Sequence, residues 1–122
     1  MNEDQISRTI LDCVFKIHTK LGPGLLESVY RACLAYELRK AGLKVEEEKA
    51  LPLIYEEIKL ECGYRIDLLV NSKVIIELKT VEAFTEVHQA QTLTYMKLAG
   101  CHIGLLNFNT KSLKDGIKRF IL

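Results

Sequence analysis

No run of apolar residues in this chain approaches the ~18–20 needed to cross a bilayer, which excludes a membrane-spanning helix. An excess of one charge is missing too: 17 basic side chains stand against 16 acidic ones, a formal net charge of +1. That excludes a strongly basic, chromatin-like or ribosomal-type protein. It leaves room for an enzyme of nucleic acid, whose acidic metal ligands would cancel part of a basic surface. Cysteines are few and far apart. Cys13, Cys33, Cys62 and Cys101 form no Cys-x-x-Cys and no Cys/His pair at zinc spacing, so no structural zinc site is expected. The opening MNEDQISRTI is acidic and polar and does not read as a secretory signal. Reduced, mostly buried thiols in a cytoplasmic protein are therefore expected rather than disulfides. Repeats, low-complexity tracts and linker-like stretches are absent as well, and 122 residues make one domain, 1–122.

What is present is a clear change of periodicity along the chain. Ile6, Ile10, Val14, Ile17 and Leu21 recur at helical spacing, with Asn2 or Asp4 as N-cap. Gly22-Pro23-Gly24 breaks that helix, because the residue before a proline resists helical geometry. A second helix is predicted over about 25–41, with Leu26, Val29, Cys33 and the 36–38 region as its apolar stripe and Gly42 as its stop. Short strands follow at 45–49, 51–55, 58–62, 64–70 and 74–79, with turns at Glu56-Glu57 and Asn71-Ser72. Pro52 places its strand at an edge or a start. Residues 85–99 return to helical spacing through Val87, Ala90 or Gln91, Thr92 or Leu93, Tyr95 and Leu98. Residues 101–108 form a final apolar strand, and 110–122 fit either a short helix or an extended edge. The order implies a mixed α/β domain with a small central sheet.

Two of these strands carry charge in their interiors: Tyr64-Arg-Ile-Asp-Leu-Leu-Val70 and Val74-Ile-Ile-Glu-Leu-Lys79. A two-residue loop would set Asp67 opposite Ile76 and mix charge with apolar residues on both faces. A three-residue loop, Asn71-Ser72-Lys73, sets Val70 opposite Val74 and Asp67 opposite Glu77. One face then gathers Tyr64, Ile66, Leu68, Val70, Val74, Ile76 and Leu78, all apolar. A buried face dictates register, so the three-residue loop is expected. Two carboxylates then face each other, which is destabilising unless compensated. A divalent cation such as Mg²⁺ compensates naturally, since it accepts one or two carboxylates and keeps its other positions for waters and phosphate oxygens. Lys79 would stabilise charge on a phosphate beside it. The plainer alternative is that Lys79 pairs with a carboxylate on a solvated sheet face.

Asp67 followed after nine residues by Glu77-Leu78-Lys79 resembles the D…(D/E)xK pattern of the PD-(D/E)XK nuclease superfamily. Gln91-Thr-Leu-Thr-Tyr95 resembles the Q-x-x-x-Y motif of its exonuclease-type branch, and Gly63 lies four residues before Asp67, where that branch often has glycine. Gly24-Leu-Leu-Glu27-Ser-Val-Tyr30 resembles the signature of the small GxxExxY family within that superfamily. The likeness runs from about Ile17 to Leu122. It implies a restriction-endonuclease-like αβββαβ core, with a small central mixed sheet flanked by helices and an extra N-terminal helix. It implies Asp67 and Glu77 as metal ligands for Mg²⁺ or Mn²⁺, Glu27 as an additional acidic ligand, and Lys79 as the catalytic lysine. Gln91 and Tyr95, one helical turn apart, would orient the lysine, a water or the substrate backbone.

Several of these residues have ordinary alternative roles. Glu27 would also complement a helix dipole, Tyr30 is expected mainly to pack, and Gln91 and Tyr95 also suit polar-aromatic packing. His18, His88 and His102 show no ligand spacing. Lys111, Lys114, Lys118 and Arg119 make a locally basic tail that suits a solvated face or a phosphate contact. The expected function is a metal-dependent phosphodiesterase of nuclease type, on DNA rather than RNA. The alternative is a non-catalytic nucleic-acid-binding or protein-interaction module on the same fold. A toxin-like or defence component that needs a partner is a third. So short a chain leaves little beyond the core to grip a substrate. A homodimer would double that surface, with apolar edge candidates around 51–58.

Overall fold

The computed structural model describes residues 1–120, and within them the side chains other than those of 51–53, 60–64 and 120. The expectations for Cys62, Gly63, Tyr64, the apolar edge at 51–53 and the last two residues lie outside that set. The first helix, α1 (Glu3–Leu21), starts at Asn2 through a capping box with Gln5. It buries Ile6, Ile10, Val14 and Ile17, the apolar positions read from the spacing, along with Cys13. Each such side chain contributes about 1.5–3 kcal/mol when fully buried.

The second helix, α2 (Glu27–Lys40), buries Tyr30, Leu34, Ala35 and Leu38. This corrects the expected stripe: Leu26, Val29 and Tyr36 are exposed. Its apolar pattern is weak, and two candidate faces are nearly equivalent in sequence. Packing under the sheet selects the one led by Tyr30. The helix ends in a Schellman arrangement, in which Gly42 N–H reaches the Arg39 carbonyl and Leu43 N–H reaches the Leu38 carbonyl. Gly42 has φ +90°, a conformation that L side chains rarely adopt.

The expected pairs of short strands merge. One strand, β1 (Val45–Tyr55), and a second, β2 (Ile58–Val70), form a long antiparallel hairpin whose two-residue turn is Glu56-Glu57. The register shifts between Leu51 and Leu53, at Pro52, which has no N–H to give. The third strand, β3 (Val74–Lys79), pairs with β2 at Val70–Val74, Leu69–Ile75 and Leu68–Ile76. This is the register of the three-residue loop. Helix α3 (Glu86–Ala99) then crosses over to β4 (His102–Asn107), which runs parallel to β3. The tail resolves both ways: a 3-10 turn at Leu113–Gly116 and an edge strand, β5 (Ile117–Phe120), antiparallel to β4.

The sheet order is β1-β2-β3-β4-β5, a mixed sheet with helices on both faces. The larger core lies between the sheet and α1 and α2, and includes Leu68, Val70, Val74, Ile76, Leu78, Leu106 and Phe108. The smaller one joins Ile66, Ile75 and Ile103 to Met96 of α3. Ile66 was expected on the Leu68 face and packs instead with Ile75. The stripe expected on α3 is partly corrected: of the alternatives Thr92 or Leu93 it is Thr92 that is buried, Val87 and Leu98 are exposed, and Met96, outside the expected stripe, is buried. Cys13, Cys33 and Cys101 are free thiols, and of the three only Cys13 is buried, the other two being half-buried. Among the described residues no helix is long and apolar enough to cross a membrane.

Candidate functional site

Beyond Leu68 and Ile76 the β2–β3 ladder stops, while β3 continues beside β4 as far as Lys79 and Asn107. Asp67 and Glu77 occupy the place where β2 and β3 part. Their side chains take over the missing backbone partners. Asp67 Oδ2 accepts from Leu78 N–H at 2.7 Å, and Glu77 Oε1 accepts from Asp67 N–H at 3.3 Å. The two carboxylates expected to face each other are thus brought together and locked to opposite backbones.

Glu77 is buried, only 7% exposed, and Asp67 is half-buried. Burial is the main force that pushes the Glu77 carboxyl up to about 8, and the Asp67 charge adds to it. Burial likewise raises Asp67, against the Leu78 N–H bond that favours its charged form. Glu27 lies near enough for its charge to raise both. It stands in the first turn of α2, and its Oε1 accepts from Thr80 N–H at 3.1 Å, just past the end of β3.

Lys79 is half-buried at that same end and acts on both Asp67 and Glu77 by charge. Among the described residues its ammonium has no hydrogen bond and no ion pair, so the plain surface pairing with a carboxylate is not formed. Gln91 is exposed on α3, and Tyr95 one turn later packs against the Ile66–Ile75–Met96–Ile103 cluster. Tyr95 thus meets the sheet on the α3 side, while the Gln91 side chain makes no hydrogen bond or ion pair among the described residues. Two of the histidines have local tasks, while the buried His102 Nδ1 has no hydrogen-bond partner among the described residues. His18 Nε2 bonds to the Thr110 carbonyl, and His88 Nδ1 accepts from Thr85 N–H in the capping box of α3.

Sequence reasoning missed two residues. Asn107 pairs in register with Lys79 and is buried. Its side chain accepts from Val81 N–H and donates to the Val81 carbonyl, which fixes the chain just after the site. A polar residue closing an apolar strand was the available signal. Arg31 lies one turn beyond Glu27 on α2, and its charge reaches Asp67. The i,i+4 spacing from Glu27 was its signal. Tyr30 does pack, stacked on Phe108 at 4.3 Å between ring centres, and its hydroxyl ties the Gly22 carbonyl to Leu25 N–H.

The donor set bears on which cation would fit. Among the described residues no three His, Cys, Asp or Glu side chains converge closely enough to hold a metal by themselves. Two carboxyl groups set together, with Glu27 near enough to act on both by charge, would suit a hard divalent ion that keeps most of its water. They suit zinc less well, since its sites use three or four protein ligands, most of them histidine or cysteine.

Among known families, the model of the PD-(D/E)XK nuclease superfamily matches residues 4–120. No match was found among curated proteins or among solved structures.

Proposed function

The chain belongs to the PD-(D/E)XK nuclease superfamily, and from that premise we propose that it hydrolyses phosphodiester bonds in nucleic acid, DNA rather than RNA, with Mg²⁺ or Mn²⁺. Superfamily members usually work with a divalent metal, which supplies Lewis-acid charge at the phosphate when bound. Asp67 and Glu77 would hold it, with Glu27 as the third acidic group. Lys79 donates from its uncommitted ammonium to a phosphate oxygen and offsets the charge developing there. Gln91 and Tyr95 steady the lysine or the substrate backbone from α3. The resemblance of 24–30 to the GxxExxY signature supports the part given to Glu27.

The observation that carries this reading is the Asp67–Glu77 pair. Two half-buried to buried carboxylates are held together by backbone N–H groups, and neither has a cation within ion-pair distance among the described residues. Such a pair gains from a metal and loses without one. The experiment is cleavage of a panel of single-stranded, duplex, flap and junction DNA and RNA with Mg²⁺ and with Mn²⁺. Metal-dependent cleavage by the wild type, lost in Asp67→Ala and Lys79→Ala variants that still fold, supports the reading. No cleavage of any substrate overturns it for that panel.

A second reading, a binding module without turnover, draws on the absence of a complete three-residue ligand set among the described residues. Mn²⁺ titration separates the two, since a module that has lost the site binds none. A homodimer would use the β1–β2 hairpin, where Ile54, Tyr55 and Ile58 are exposed. Sedimentation with Ile58→Lys as control checks it.

A further inference from the structure

Arg31 carries more than its ion pairs explain. Its side chain is 24% exposed, and its two ion pairs are loose: Glu48 Oε1 lies 3.4 Å from Nη1 and Glu47 Oε1 3.9 Å from Nε. Among the described residues its guanidinium makes no hydrogen bond, and its Nε is fully buried without a partner. A guanidinium has five N–H donors in a rigid fork, and a buried donor left unmade is costly. Among the described residues, Glu47 and Glu48 each approach one nitrogen of that fork, and neither carboxylate hydrogen-bonds to it.

The residue opposite is also unusual. Glu47 pairs with Leu68 and Lys49 with Ile66, which leaves Glu48 across from Asp67 but outside the ladder. Glu48 has φ +49°, uncommon for a residue with a side chain. Its carbonyl is turned to Arg65 Nη1 at 3.2 Å. Its carboxylate is exposed and free to swing away. The first turns of α2 thus straddle β2. Glu27 reaches the end of β3, Arg31 reaches β1, and Asp67 lies on the strand between them.

We propose that Arg31 is a phosphate-binding residue of this site. Its fork grips a backbone phosphate of the nucleic-acid strand, and the Glu48 carboxylate holds that place until the strand arrives. This rests on the nuclease reading for the class of ligand. Arginine matches phosphate through two parallel N–H bonds, which a lysine cannot reproduce. Glu48 swings out because a second anion beside the phosphate is repelled.

The test is binding rather than cleavage. A labelled duplex with a single-stranded overhang is titrated in Ca²⁺, with fluorescence anisotropy read at several salt concentrations. Arg31→Gln is expected to weaken binding about tenfold and to lower the slope of log affinity against log salt by about one phosphate contact. Arg31→Lys restores the slope but not the full affinity. Glu48→Gln tightens binding severalfold, and that gain vanishes in the double variant with Arg31→Gln. Far-UV circular dichroism confirms that each variant is folded. Wild-type affinity and slope in folded Arg31→Gln would overturn the proposal, as would a wild type that binds no nucleic acid. If the wild type binds but never cleaves and Arg31→Gln still weakens it, the nuclease reading fails and this one stands.

Discussion

Asp67 and Glu77 each bind the other's strand: Glu77 accepts from the Asp67 N–H, and Asp67 accepts from the N–H of Leu78, next to Glu77. This double exchange replaces the ladder bonds that β2 and β3 give up as they part. It holds two carboxyl groups together, and ionising both has an energetic cost, which is why the Glu77 carboxyl keeps its proton up to about pH 8.

That cost is measurable without a metal. Glu77→Gln keeps the shape and removes one buried charge. In chelator at pH 8 it is expected to raise Tm by a few degrees while cleavage is lost. Differential scanning calorimetry with an activity assay checks both. A lower Tm would mean that the charge itself is structurally needed.

The pH dependence has a definite sign. The native Glu77 carboxyl titrates at about 8, far above its ordinary 4.5. Between those values the folded protein holds a proton that the unfolded chain has released, so stability falls as pH rises through the window. The metal-free protein should therefore be most stable near or below pH 4.5 as far as this group is concerned, and should lose that contribution by about pH 8. Denaturant melts across this range show the slope, and Glu77→Gln flattens it.

Metal binding must expel the same proton. Apparent Mn²⁺ affinity is expected to rise with pH up to about 8 and then level. Titration calorimetry in buffers of different ionisation enthalpy reads the proton release. Asp67→Asn, which keeps an acceptor for Leu78 N–H, lowers the Glu77 titration but leaves it raised, because burial is the larger cause.

Lys79→Ala is expected to reduce cleavage about a hundred- to a thousandfold while Mn²⁺ affinity is retained or improved, since a nearby positive charge is removed. Steady-state cleavage beside metal titration separates these. A parallel loss of metal affinity would assign Lys79 to organising the carboxylates instead.

Two supports of the site are testable through stability. Tyr30→Phe deletes the hydroxyl that ties Gly22 to Leu25, ahead of Glu27, and is expected to cost about 1–3 kcal/mol. Gly116→Ala drives a Cβ into the Asn107 carbonyl, and a cost of about 2 kcal/mol or more is expected. Because Asn107 holds Val81, this change should also disturb the end of β3. Urea melts give both values.

The legible parts of the chain were those where one face had to be apolar. The spacing of Ile6, Ile10, Val14 and Ile17 placed α1, and the same demand chose the loop that brings Asp67 to Glu77. Where patterns were weak, the reading slipped. On α2 the exposed Leu26 and Val29 looked as suited to the core as Tyr30 and Leu34. On α3 the expected Val87 and Leu98 are exposed, while Met96, outside the expected stripe, is buried. In both helices a few apolar residues ring the axis, and only the neighbouring sheet distinguishes one side from another.

Sequence alone determined the chemistry of the site: two carboxylates and a lysine at set intervals on two strands, since alternation along a strand is a local rule. Tertiary structure decided what surrounds them. It opened the ladder at Asp67, laid α2 across the opening, and set Arg31 against a strained Glu48 from a strand that the spacing could not align with it. Those relations join distant segments through packing, and packing depends on the whole core rather than on any one stretch of residues.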